Sequence, residues 1–348
     1  MGSLTRRHFE RQAEVCERMH SPFTARMLHL CGARLKPETT FTTRVLDWPD
    51  DRMRDDALSL RFAGALHACV LAGRSEALAA CYPPNVAPDD DDAFWDIIRQ
   101  TMVADDEFLN AFLDHPPQTN ETGRAAVLLL GFQRAARDTG YPLSMLELGA
   151  SAGLNQNWDR FAYDLGGTLW GDMESGVRLA PEWRGRAPEP LDPITVVQRR
   201  GCDLNPLQLD DPAQQLRLRS YVWPDQPERL QRLDAAIGIA LQQETRLARA
   251  NAADWAEACL AMPSAGMTTV IYHSIFWQYM PAEIQRSLRS TIEVAGAMAT
   301  KDSPLAWVRM EPFDDDPKCA ALYYTLWPEP ERQVLALCDY HGRWIEPC

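Results

Sequence analysis

The sequence predicts an α/β fold, a doubly wound and mostly parallel sheet preceded by an all-helical N-terminal domain. Three observations carry this. Residues 1–118 show helical periodicity and no strand signal. From 119 to 348, short apolar runs alternate with helical patterns, which implies parallel strands joined by right-handed crossovers. Between the two regimes, Ser144-Met-Leu-Glu-Leu-Gly-Ala-Ser-Ala-Gly-Leu154 starts as an apolar strand and stops at Gly149. It turns through small residues and resumes at Leu154 as a helix. A strand, a glycine-rich turn and a helix form the nucleotide-binding half of a doubly wound sheet.

The elements follow in order. Residues 4–20 read as a helix. Ser21 and Pro22 start a second one, Ser21 at its N-cap and Pro22 in its first turn, with Phe23, Met27, Leu30 and Cys31 on its buried face. A Thr-rich loop leads to an apolar helix over 58–71, ended by Gly73 and carrying His67 as a core histidine. Ser75 caps a short helix. The acidic run 89–92 reads as a solvated loop before helices over 94–103 and 107–113. After a loop, 121–136 is a helix leading to the first strand. Beyond the glycine turn, 154–161 reads as a helix. Residues 163–179, with Gly166, Gly167 and Gly171, read as a β-hairpin insertion. Strands are expected over 194–201, 268–272 and 305–309, helices over 226–249 and 281–298, and a closing antiparallel pair over 322–327 and 334–337. Asp225 and Glu228 have the spacing of a capping box.

Composition limits the function. With 35 basic and 49 acidic residues the net charge is −14, and no Lys/Arg block stands out, so a nucleic-acid partner is disfavoured. Nine cysteines without a C-x-x-C pair imply free thiols and a cytoplasmic location. The seven histidines lack ligand spacing, so no metal is expected. No apolar run reaches membrane-spanning length, so no membrane association is expected. The N-terminus has no apolar signal core, and Arg6 breaks the myristoylation pattern.

The spacing Glu147-x-Gly149-x-Ser151-x-Gly153 resembles motif I of class I S-adenosylmethionine-dependent methyltransferases, with Ser151 in place of the usual middle glycine. The same turn fits the G-x-S-x-G nucleophile elbow of α/β-hydrolases, for which Asp314 and His341 would complete a triad in the order Ser…Asp…His. Context favours the first reading, because the residues before Ser144 read as helix and contain no His-Gly-Gly oxyanion loop. A third reading is a nucleotide-binding module without catalysis.

The methyltransferase resemblance implies a Rossmann-like sheet and assigns its residues. Glu147, Gly149, Ala150, Ser151 and Gly153 would serve the amino-acid end of S-adenosylmethionine, and Arg124 its carboxylate. The alternative is that Thr119 or Asn120 caps a helix and Arg124 is a surface charge. Asp203, at the end of the second strand, would hold the ribose diol, with Asp164 as runner-up and an Asx turn as the structural alternative. Asn251 and Ala252 would read the adenine, with Asp254 either replacing Asn251 or capping the next helix. At the end of the fourth strand, His273 would act as general base beside the cofactor, together with Tyr279. Ser274, Trp277, Gln278 and Arg309 would line the acceptor pocket. The alternative for His273 is a buried, hydrogen-bonded histidine. Asp/Asn-Pro-Pro-Tyr is missing there, which favours a small-molecule acceptor over nucleic acid or protein. S-adenosylhomocysteine would be the product.

Across nearly the whole chain the sequence also resembles a bacterial domain-of-unknown-function family, numbered twenty-three thirty-two. The carriers are Thr119-Asn-Glu121, Leu146-Glu-Leu-Gly-Ala-Ser-Ala-Gly-Leu-Asn155, Gly201-Cys-Asp-Leu-Asn-Pro206, Trp223-Pro-Asp-Gln226, His273-Ser274 and His341-Gly-Arg-Trp344. That resemblance implies a methyltransferase-like fold and supplies no reaction and no oligomeric state.

Overall fold

The computed structural model describes residues 3–243, 247–262 and 264–348. The helices are α1 (Ser3–Arg18), α2 (Pro22–Arg34), α3 (Thr40–Leu46), α4 (Leu58–Leu71), α5 (Glu76–Ala79), α6 (Asp91–Ala104), α7 (Asp106–Phe112), α8 (Ala125–Thr139), α9 (Pro212–Ser220), α10 (Pro227–Ala240), α11 (Ala252–Leu260) and α12 (Ala282–Met298). The strands are β1 (Leu143–Leu148), β2 (Ala162–Leu165), β3 (Thr168–Gly171), β4 (Arg178–Leu179), β5 (Glu182–Trp183), β6 (Val196–Asp203), β7 (Leu247–Arg249), β8 (Thr268–Ser274), β9 (Leu305–Pro312), β10 (Ala320–Trp327), β11 (Gln333–Cys338) and β12 (Trp344–Pro347). No helix among the described residues is long and apolar enough to cross a membrane.

The chain forms two compact units, Met1–Thr119 with Asp210–Gln231, and Asn120–Leu209 with Arg232–Cys348. The sequence reading placed all of 119–348 in one domain. Residues 210–231 group instead with the helices, because α9 and the turn after it pack on α4. A Cβ on Gly64 of α4 would lie 2.5 Å from Tyr221 Cε1, and His67 Nδ1 lies 3.1 Å from the Ser220 carbonyl. His67 is thus a satisfied core histidine, and burial lowers its pKa to about 4.

The first unit is all helix, around a core that includes Phe9, Phe41, Phe62 and Phe94. The expected Thr-rich loop contains α3. Thr39 Oγ1 accepts from the Thr42 amide at 3.1 Å, while Thr42 Oγ1 accepts from the Thr39 amide at 2.9 Å. A threonine replaces the Glu or Gln of the usual capping box, which hides the signal. The acidic run belongs to α6, with Asp90 as its N-cap. Ser21 does not cap α2 through its side chain. Its hydroxyl bonds Asp225, and the other Asp225 oxygen accepts from the Phe23 amide at 2.9 Å. Asp225 therefore caps α2 across a long loop of chain.

The second unit holds a nine-stranded sheet in the order β5-β12-β11-β10-β9-β8-β1-β6-β7. Strands β7, β6, β1, β8 and β9 are parallel neighbours. Strands β9 to β12 form an antiparallel meander, with β5 parallel to β12 at the edge. The expected hairpin is β2 and β3, widened by β4 into a three-stranded sheet. Helix α8 lies close on β9, since a Cβ on Gly131 would sit 2.5 Å from Val308 Cγ1. On the opposite face, Leu288 and Ile292 of α12 join Ile271, Leu305 and Trp307 in one apolar cluster. The expected helix 226–249 is shorter, because 247–249 pairs with β6 as β7.

The Asp225 cap gives a test. Asp225→Ala should destabilise the protein by about 1–2 kcal/mol, the usual loss for an N-cap. Glu228→Ala should leave the urea midpoint unchanged. Equal losses would restore the local capping box.

Candidate functional site

The parallel strands reverse direction of growth at β1. The chain passes from β1 to β6 and β7, then returns to the other side of β1 for β8 and β9. Such a reversal, at the carboxyl ends of the strands, is the usual ligand position in open α/β sheets. The loops leaving β1 and β8 both hold non-glycine residues in left-handed backbone, Ser151 at φ 55° and Ile275 at φ 49°. For a β-branched residue this is an outlier, and such strain concentrates at functional sites.

The turn after β1 differs from the expectation in two ways. Gly149 (φ 63°) does permit a close approach, but the approaching group is Phe276. A Cβ there would lie 2.2 Å from Phe276 Cδ2. The second difference is the helix, which is a seven-residue 3-10 segment, Leu154–Arg160, with Asn157 out of helical geometry. Asn155, Gln156 and Asn157 make a weak helix start. Local bonds also pull the segment off an α-helical path. The Leu154 amide donates to Asn120 Oδ1 at 2.9 Å, and Asn155 Nδ2 donates to the Glu121 carbonyl at 3.3 Å. The Ala150 amide is bonded to the Cys202 carbonyl at 3.0 Å and the Gly153 amide to the Ala150 carbonyl at 2.7 Å. Those amides do not form the open anion cradle expected at a helix N-terminus.

Asp203 sits beside this turn at the end of β6. One carboxylate oxygen accepts from the Ser151 amide at 2.9 Å and the other from the Asn205 amide at 2.8 Å. The Asx turn is therefore present, and so is a direct tie to the glycine turn. A carboxylate has about four acceptor positions, so two remain for a diol. The runner-up Asp164 is engaged in the hairpin, accepting from the Gly167 amide at 2.8 Å.

Under the turn lies a buried polar cluster that sequence reasoning missed. Gln156 and the Tyr272 hydroxyl interact with the Glu147 carboxyl, while Ser151 Oγ, Asn155 Oδ1 and both polar atoms of the Asn157 amide have no hydrogen-bond partner. So many orphaned groups are unusual, because buried polar atoms are normally paired. Gln156 reaches the site because β6 carries a glycine there. A Cβ on Gly201 would lie 2.2 Å from Gln156 Nε2. Burial raises the pKa of Glu147 to about 8; Gln156 and Tyr272 oppose that shift and Asp203 adds to it. The run Asn155-Gln-Asn157 directly after the glycine turn was the available signal.

On the other side of β1, His273 is buried and fully bonded. Nδ1 donates to Glu311 Oε1 at 2.6 Å, and Nε2 accepts from Trp307 Nε1 at 3.1 Å. An indole can only donate, so the ring proton sits on Nδ1. With both nitrogens engaged, His273 has the geometry of the buried, hydrogen-bonded alternative. Glu311 Oε1 also accepts from the Phe276 amide at 3.0 Å and the Trp277 amide at 3.3 Å. Trp277 stacks on His273 with ring centroids 5.6 Å apart. Tyr279 is 74% exposed, and Gln278 is exposed. Neither is hydrogen-bonded to His273 among the described residues. Arg309 is buried nearby, between Trp307 and Tyr323.

Arg124 and Asn251 also have structural tasks. Arg124 Nε donates to the Tyr340 carbonyl at 3.0 Å, and Nη1 to the Ser274 carbonyl at 3.3 Å. It pins the end of β8 to the turn before β12, which corrects the expected carboxylate clamp. Asn251 caps α11, its Oδ1 accepting from the Ala253 amide at 2.8 Å, which leaves Ala252 in the first turn. Asp254 is not the cap. The hydrolase triad is not assembled. Ser151 Oγ has no partner, Asp314 pairs with Arg332, and the His341 amide is bonded to Asp339 at 2.9 Å.

Asn120, Glu121, Leu154, Asn155, Asp203, Ser274 and the turn at His341 are thus brought together by hydrogen bonds and close packing. The family described as "Uncharacterized protein conserved in bacteria (DUF2332)" matches residues 6–346. The chain belongs to this family. No curated protein matches the chain, and no solved structure does.

Glu147 gives the pH test. In the fold it stays protonated up to about 8, against 4.5 for its ordinary value. Across that window the unfolded chain releases a proton that the folded chain keeps, so this group's contribution to stability falls as pH rises. Glu147→Gln cannot ionise. Between about pH 5 and pH 8.5, wild type should lose stability relative to Glu147→Gln, by on the order of a few kcal/mol at most. Parallel urea midpoints across that range would show that Glu147 is already ionised in the fold.

Proposed function

We propose that the second unit binds S-adenosylmethionine at the carboxyl ends of β1 and β6 and methylates a small molecule. The observation that carries this is the strand reversal at β1, with a glycine turn on one strand and Asp203 on the next. The orphaned polar atoms beside that turn fit such a ligand. Asp203 keeps acceptor positions for a ribose diol. Ser151 Oγ is an unpaired polar atom at the side where an amino-acid end would lie. Arg124 and Asn251 Oδ1 are already bonded and are not assigned to it.

The cofactor would supply a methyl group activated on a sulfonium. The chain's part is alignment. Asp203 fixes the ribose and the glycine turn together, and Glu311 fixes the loop bearing Phe276 and Trp277 opposite. Holding two reactants in line accounts for much of the rate advantage in such transfers. No side chain is assigned the acceptor's proton, since both nitrogens of His273 are hydrogen-bonded. The left-handed Ser151 in a G-x-S-x-G turn also matches a nucleophile elbow, which keeps hydrolysis as a second reading. It lacks a base at Ser151 Oγ.

Calorimetry with S-adenosylmethionine and S-adenosylhomocysteine tests the proposal. Asp203→Asn should weaken binding by about 2 kcal/mol, roughly thirtyfold, for the loss of a charge-assisted bond. Near-ultraviolet circular dichroism would confirm that the Ser151 turn is kept. Lack of binding by folded wild type at millimolar cofactor would sink the reading. Fluorophosphonate labelling lost in Ser151→Ala would put hydrolysis in its place.

A further inference from the structure

The face of the sheet covered by α12 carries a group of arginines that the proposed cofactor site does not use. The Arg309 guanidinium carbon lies 4.4 Å from the Trp307 ring centroid and 4.8 Å from that of Tyr323. Arg332 lies 4.4 Å from the same Tyr323 ring. Arg289, from α12, lies 5.4 Å from the Trp277 ring and 5.8 Å from the Trp307 ring. Three guanidinium groups thus share three aromatic rings near the ends of β8 and β9.

Arg309 is the unusual member. Only 8% of it is exposed, and it makes no hydrogen bond or ion pair among the described residues. Buried arginines are normally paired, because an unpaired buried charge is costly. Stacking satisfies its faces and leaves its edge, where the N–H groups point, without an acceptor. Burial and the charges of Arg332 and Arg289 pull its pKa down to about 10, and these outweigh the opposing field of Glu311. The acids nearby act on Arg309 through space but do not bond to it. Asp314 pairs with Arg332, Glu311 Oε1 accepts from His273, Phe276 and Trp277, and Glu311 Oε2 has no hydrogen-bond partner. Arg289 has no ion pair among the described residues. Arg309 and Arg289 therefore lack a bonded anion among the described residues, although the field of Glu311 reaches Arg309.

We infer that Arg309, Arg289 and Arg332 bind the phosphate group of a small molecule, with Trp277 and Trp307 as the apolar wall beside it. A dianion matches two guanidiniums that lack a bonded anion, and the forked donors of arginine suit phosphate oxygens. The acidic surround repels extended polyanions, which restricts the ligand to a small one. The inference stands apart from methyl transfer, since it needs neither Asp203 nor the turn after β1.

The test is calorimetry at fixed ionic strength in a phosphate-free buffer, with inorganic phosphate and phenyl phosphate as separate probes. At least one should bind saturably at one site. Arg289→Gln, an exposed change that leaves the core intact, should weaken it about tenfold, as should Arg309→Lys, which keeps the charge and loses the fork. Tighter binding of phenyl phosphate would identify a phosphate ester as the ligand, and equal or tighter binding of inorganic phosphate would identify the free ion. Failure of both probes to saturate would overturn the inference. So would unchanged affinity in Arg289→Gln, or equal displacement by benzoate, which carries a single charge.

Discussion

The turn after β1 depends on one carboxylate. Asp203 accepts the Ser151 amide while Ser151 sits in left-handed backbone. That conformation costs roughly 1–2 kcal/mol for a residue with a Cβ. A hydrogen bond to a charged acceptor contributes about 1.5–3 kcal/mol, enough to offset it. On the far side of the reversal, Glu311 gathers His273 and the amides of Phe276 and Trp277, next to the left-handed Ile275. The two loops meet where the Phe276 ring lies against Gly149. Two carboxylates, one at the end of β6 and one on β9, thus shape both loops.

The alternation of the fold was legible wherever an element carries its own signal. Strand β1 is an apolar run stopped by a glycine, and α4 is apolar apart from Ser59, Arg61 and His67. Elements defined by their neighbours were not legible. The segment Pro-Ala-Gln-Gln-Leu-Arg-Leu-Arg-Ser of α9 has little apolar pattern, and it is a helix packed on α4. Strand β7 is three residues long and exists through pairing with β6. Strands β5 and β12 are similarly short, and β5 pairs only at the sheet's edge. Strand preference reflects context more than sequence, so short edge strands escape a reading of single residues.

The candidate site was legible in position more than in role. Gly149, Ser151, Asp203 and His273 all lie at strand ends around the reversal, as their spacing implied. Their atoms are claimed first by backbone and neighbouring side chains. His273 is bonded on both nitrogens, Asn251 caps a helix, and Arg124 closes two carbonyls. A sequence identifies a polar residue at a strand end but not the local donors that reach it first. Conversely, Asn155, Gln156 and Asn157 read as ordinary polar residues, and the fold buries all three.

Two kinds of unpaired group remain after that accounting, and they lie on opposite faces of the sheet. Strand alternation puts Glu147 with Tyr272 on the α8 face, and His273 with Trp307, Arg309 and Glu311 on the α12 face. The first face holds orphaned neutral groups, and burial favours the protonated Glu147. The second holds guanidinium groups without a bonded anion, together with the unpartnered Glu311 Oε2. A ligand that satisfied both would need a polar uncharged or cationic end and an anionic end. The reversal at β1, where the chain's course parts to either side and Phe276 lies against Gly149, separates the two sets. Polar groups left unpaired on both sides of that parting weigh against a purely structural role for the reversal, since packing alone would have filled them with apolar side chains at lower cost.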